Sequence, residues 1–140
     1  MKYTRQMLIA ATLTVMPMLA TAQFGQTVSI STQVPFEFVV GDRVVPPGKC
    51  VLQAATAAAD TILIRNDDKM VRLFSSTSLG DARNLPATNQ LVFHKYGERS
   101  FLAAVRVQGN RVMYWLPESK QETRLRQQDQ SSAEETIHAF

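Results

Sequence analysis

The stretch LVFHKYGERSFL, residues 91–102, brings His94, Tyr96, Glu98 and the basic residues Lys95 and Arg99 into one window. A histidine beside a carboxylate is the usual apparatus of proton transfer, because imidazole titrates near neutral pH and the carboxylate orients the ring. Whether these side chains converge depends on the element that carries them. Gly97-Glu98 lies between two alternating apolar runs, the pattern of a two-residue type II′ turn with glycine at the position that needs a positive φ. That turn sets Tyr96 opposite Arg99, His94 opposite Phe101, Phe93 opposite Leu102 and Val92 opposite Ala103.

A second turn at Gly109-Asn110 sets Val107 against Val112, Val105 against Tyr114 and Ala104 against Trp115, giving a three-stranded meander. In this register one face carries Val92, His94, Phe101, Ala103, Val105, Val107, Val112, Tyr114 and Leu116, and is expected in the core. The exposed face then carries Leu91, Lys95, Ser100, Arg106, Arg111, Met113 and Trp115. His94 is accordingly expected to be a packed, hydrogen-bonded histidine with apolar neighbours, Glu118 being the one polar group brought near by continuing the register. Catalytic, cofactor-binding and metal-binding residues are all assigned as none. Ser75, Ser76 and Ser78 lack a nucleophile-elbow pattern, Asp67-Asp68 lacks the spacing of a calcium loop, and His138 lies in a polar tail.

The chain opens with Lys2 and Arg5, an apolar run from Met7 to Leu19 and the small-x-small site Ala20-Thr21-Ala22, the layout of a secretory leader over residues 1–22. The run is short for a bilayer span, and Gln23 stands where a lipoprotein would need cysteine, so a periplasmic or secreted product without membrane anchoring is expected. Loss of Lys2 and Arg5 takes away two of the three excess positive charges, which disfavours a nucleic-acid partner. Cys50, the only cysteine, rules out an intramolecular disulfide framework and is expected to be buried.

Elsewhere, runs of β-branched and aromatic residues alternate between Gly, Pro, Asn and Asp clusters. VPFEFVV places Val34, Phe36, Phe38 and Val40 on one face, GDR and PPG turn the chain, and TILIRNDDKMVRLF reads as a hairpin with Ile62, Ile64, Val71 and Leu73 inward. Residues 75–89 read as one long surface loop. Ser119-Lys120-Gln121-Glu122 is a capping box that starts a short helix, whose one useful apolar residue, Leu125, lets it lie on the sheet and cover an open edge or end. The expected architecture is all-β: a small antiparallel barrel or sandwich of about seven to eight strands with a short C-terminal helix, in one domain over residues 23–126. Residues 127–140 are expected to be a disordered polar tail.

The segments VPFEFVVGDRVVPPGKCVLQ, TILIRN, LVFHKYG and LPESKQE together resemble a family of small exported bacterial proteins of unknown function. Its pattern reads V-P-F-x-F-x-V-G, then L-P-A-G-x-Y-x-V, L-V-F-H-x-Y-G and L-P-x-S-x-x-E. Pro47 departs from the family alanine and Cys50 from its aromatic, and the resemblance carries over no catalytic residue. The favoured function is an exported, non-catalytic β-module acting through protein or surface contacts, with Leu91, Met113, Trp115 and Arg106 as the candidate contact surface and a protein partner or homo-oligomer as its counterpart. A small barrel holding an apolar ligand in alanine-lined space is the alternative, and an enzyme centred on His94 comes last.

Overall fold

The computed structural model describes residues 29–128 and 132–139. The expected leader and the start at Gln23 lie outside the described residues. The elements are β1 (Ser29–Val34), β2 (Phe38–Val40), β3 (Arg43–Val45), β4 (Gly48–Ala54), β5 (Thr61–Asn66), β6 (Val71–Ser76), β7 (Ser78–Asp81), β8 (Asn89–Tyr96), β9 (Arg99–Arg106), β10 (Val112–Trp115), α1 (Lys120–Gln127) and β11 (Ala133–Ala139). One sheet runs β1-β4-β5-β6 and the other β11-β8-β9-β10-β7, with the β2–β3 hairpin attached to β9 through a parallel contact of Val39 with Phe101. The sheets do not close into a barrel; they face each other across one core, as in a sandwich.

Alternation decides which side chains fill that core. From the first sheet come Ile30, Leu52, Ile62, Ile64 and Leu73, with Val71 packed against them. From the second come Leu91, Phe93, Leu102 and Val105, and the β1–β2 segment adds Val34, Phe38 and Val40. Phe93 is the hub, meeting Phe36 and Phe38 edge-on at centroid distances of 5.0 and 5.2 Å. Such pairs contribute about 1 kcal/mol each beyond the area they bury. The β5–β6 turn is resolved without a glycine: Asp67–Lys69 forms a 3-10 turn, and Met70 takes the left-handed conformation at φ 54°. Gly97, at φ +60°, makes the two-residue β8–β9 turn expected from the sequence.

The meander register departs from expectation at one point. Tyr96, His94 and Phe93 pair with Arg99, Phe101 and Leu102 as expected, but a bulge between Val92 and Phe93 then sets Val92 against Ala104 and Leu91 against Val105. A one-residue slip exchanges the faces of everything beyond it. The face expected in the core is also the wrong one for β8, because the turn fixes the pairing but not which side meets the other sheet: Leu91 and Phe93 point into the main core together with Val105 and Tyr114, while Val92, His94 and Phe101 point to the outer face of the second sheet. Had the pairing stayed regular, Val105 would share the His94 face; the bulge returns it to the core.

Two further expectations are corrected. Within the supposed long loop of residues 75–89, Ser78–Asp81 forms β7 and pairs with β10. The tail expected to be disordered contains β11, which pairs along β8 from Ala133 opposite Lys95 to Ala139 opposite Asn89. Judged by Thr136 and His138 that segment looks too polar for a strand. The opposite parity carries Ile137 and Ala139, which pack on the core while the backbone completes the β8 edge. That edge is thus covered by β11, leaving α1 to lie on the outer face, where Leu125 packs on Val39, Tyr96 and Phe101.

Candidate functional site

α1 brings to His94 the polar neighbour that the strand register alone did not supply. Ser119 caps the helix, accepting from the Glu122 N–H at 3.1 Å, so half of the expected capping box is formed. The Glu122 side chain turns instead toward the sheet, where its Oε1 lies 2.8 Å from His94 Nδ1 and accepts from the Tyr96 hydroxyl at 3.3 Å. Glu122 is 4% exposed, whereas the His94 side chain is 31% exposed. Burial, and after it the Glu122 charge, hold the Tyr96 hydroxyl above its usual pKa.

His94 therefore does not sit among apolar neighbours only: its partner is Glu122, not Glu118. Glu118 is occupied by Arg126, which donates to it through Nε at 2.9 Å and Nη2 at 3.0 Å. A carboxylate on Nδ1 fixes the imidazole tautomer and orientation, the arrangement used in histidine general bases. The ring borders a surface pocket of about 180 Å³, lined by His94, Ala103, Trp115, Leu116, Glu118 and Glu122. That lining has no hydroxyl, thiol or amide side chain; its carboxylates, Glu118 and Glu122, are held by Arg126 and by His94 and Tyr96. Among the described residues, no group of three or more His, Cys, Asp or Glu is placed to hold a metal.

Of the four residues expected to form a contact surface, Arg106, Met113 and Trp115 share the outer face of the second sheet, Met113 lying directly opposite Arg106, and Leu91 does not join them. Leu91 is wholly buried in the main core, on the same face of β8 as Phe93. Arg106 donates to Gln90 Oε1 at 2.9 Å and to the Asn84 carbonyl at 2.8 Å, so it fastens the β7–β8 loop. Met113 is half-buried, and Trp115, 36% exposed, lies over Gly80, where a Cβ would come within 2.5 Å of the indole Nε1. Lys95 is likewise engaged: its Nζ is 2.6 Å from Glu135 Oε2 and 4.7 Å from the centre of the Phe36 ring.

Larger exposed apolar groups lie where sequence reasoning did not look. Phe74 on β6 is 64% exposed, Met70 in the turn before β6 93%, and Val44 on β3 50%. Phe74 and Arg72 border a groove of about 530 Å³ whose other wall is the β2–β3 turn with Arg43. The sequence signal was the parity of MVRLF, in which Leu73 is inward and Arg72 and Phe74 are outward. The interior offers little room: the apolar gap between the sheets, bordered by Ile30, Leu52, Ala54, Ala59 and Tyr114, is about 30 Å³. Ligand sites for small organic molecules begin near 300 Å³. Cys50 is fully buried, and burial pushes its thiol up to about 11. Asn66, also buried, donates to the Pro46 carbonyl at 3.1 Å and accepts from the Lys69 N–H, which ties two turns together.

Among the described residues, no helix is long and apolar enough to cross a membrane. No family model, curated protein or solved structure matches the chain.

Proposed function

We propose that this chain is an exported, non-catalytic β-module that works by contact with another protein. The observation that carries the reading is the distribution of apolar surface: the core holds a gap of only about 30 Å³, while Phe74 is turned to solvent on a basic groove, and Met70 and Val44 are exposed elsewhere on the β5–β6 turn and β3. Exposed apolar groups rimmed by charge mark contact sites, since a partner supplies the burial that the fold withholds. Small-molecule binding in the interior is disfavoured by volume. Catalysis at His94 has the Glu122 pair in its favour, but the pocket beside it has no hydroxyl or thiol for the imidazole to activate, and its carboxylates are already engaged, Glu122 by His94 and Tyr96 and Glu118 by Arg126. The Glu122 contact is better accounted for as the pin that holds α1 to the sheet.

The test is site-specific photo-crosslinking in the native host, with the reactive residue at position 74 and, as control, at exposed Ser31 on β1. A discrete protein adduct from position 74 and none from position 31 supports the reading. A small molecule retained by the purified chain in native mass spectrometry, with no adduct from position 74, overturns it.

A further inference from the structure

We infer that the free edge of β6 accepts an extended, acidic segment of a partner protein as an added strand, an inference that rests on the contact reading above. The edges of the two sheets are not alike. β1 is approached by β11, with the Thr32 hydroxyl 3.5 Å from the His138 carbonyl. β7 is four residues long and β3 three. β6 has six residues, pairs with β5 alone, and its outer edge has no backbone partner among the described residues.

Exposed edges are ordinarily blunted by brevity, by proline or by inward-pointing charge, because a row of unpaired N–H and C=O groups will template a further strand. VRLFSS has no proline and no inward-pointing charge, and the edge charge it does carry repels a basic strand but not an acidic one. Its one charge, Arg72, points outward beside the exposed Phe74, and the groove along the edge is closed on the far side by Val40, Gly41, Asp42 and Arg43. Strand addition suits such a groove: the backbone supplies affinity, and alternate side chains are read by what flanks the edge. What flanks it here is Arg43 and Arg72, against the single carboxylate of Asp42, together with the apolar Phe74. The preferred occupant therefore alternates acidic and apolar residues. Pairing with a second copy of this chain would set one basic edge against another, which costs free energy where acidic pairing gains it.

Two labelled eight-residue peptides serve as probes, one alternating valine with glutamate and one alternating valine with lysine. They are titrated against the full mature chain by fluorescence anisotropy, and the complex is followed by amide hydrogen exchange. The glutamate peptide should bind in a salt-sensitive manner and slow exchange in β6 but not in β1, and the lysine peptide should bind at least about tenfold more weakly. The Arg43→Glu/Arg72→Glu double variant, altered only on the surface, should invert that order. Equal binding of the two peptides, or protection outside β6, overturns the inference. So does concentration-dependent protection of β6 without peptide, which would identify a second copy as the occupant. A crosslinked protein adduct at position 74 with neither peptide bound would leave the contact reading standing and remove this one.

Discussion

Replacing His94 by alanine tests the idea that the His94–Glu122 pair holds the helix to the sheet. Truncation removes the 2.8 Å bond to a carboxylate that is 4% exposed, leaving Glu122 with Tyr96 as its remaining side-chain donor. A hydrogen bond to a charged group is worth about 1.5–3 kcal/mol, and stranding a buried charge costs more. Against this, the His94 side chain is 31% exposed, so water enters the vacated space and recovers part of the loss. The expected net cost is about 2 kcal/mol, or a fall in Tm of about 8 °C for a domain of this size. Urea unfolding of the four members of a double-mutant cycle isolates the pair. Glu122→Gln alone should cost about 1 kcal/mol, and His94→Ala in that background should cost at least about 1 kcal/mol less than in the wild type, because no buried charge is then stranded. Exposed Arg111→Ala should change stability by less than about 0.5 kcal/mol and is the control. Lys95→Ala is unsuitable as a control, since Glu135 and the Phe36 ring hold Lys95. Strict additivity in the cycle, or a His94→Ala variant with unchanged Tm and loss of a measurable turnover, would refute the structural role.

Gly80→Ala should force the only tryptophan from its seat, because the new Cβ would meet Trp115 Nε1 at 2.5 Å and Cδ1 at 2.7 Å; a red-shifted Trp115 emission with a loss of about 1–2 kcal/mol checks this. Gly48→Ala, at φ +141° with Asn66 Nδ2 3.1 Å from the added carbon, should destabilise by about 1–3 kcal/mol in calorimetry. Cys50 should resist thiol reagents at pH 8 in the folded protein and react once urea unfolds it. Its thiol is raised in the fold from 9.0 to about 11, so its contribution is fully present below pH 9 and is lost as pH climbs to 11. A stability–pH profile of Cys50→Ala, compared with wild type, should be flatter across that window.

What the sequence determined by itself is what depends on neighbours along the chain. Period-two alternation is set by backbone geometry, so Ile62, Ile64 and Leu73 could be assigned inward from TILIRNDDKMVRLF alone. The Gly97-Glu98 turn, the Ser119 cap and the burial of Cys50 follow from equally local chemistry. Tertiary structure decided what depends on pairing between distant segments. Which face of β8 meets the other sheet put Leu91 and Phe93 in the core and His94 outside it, and one extra residue in β9 then brought Val105 to the same side; no local signal marks where a ladder will bulge. The tail around Ile137 is too poor in apolar residues to fold alone, yet forms a strand because β8 offers it both an edge and a place in the core. Glu122 is equally compatible with bonding back to its own helix, and turns to His94 because Leu125 docks that helix over Tyr96 and Phe101, within reach of the imidazole. The candidate site thus joins residues 28 positions apart, and where a helix lands is set by the shape of the surface beneath it.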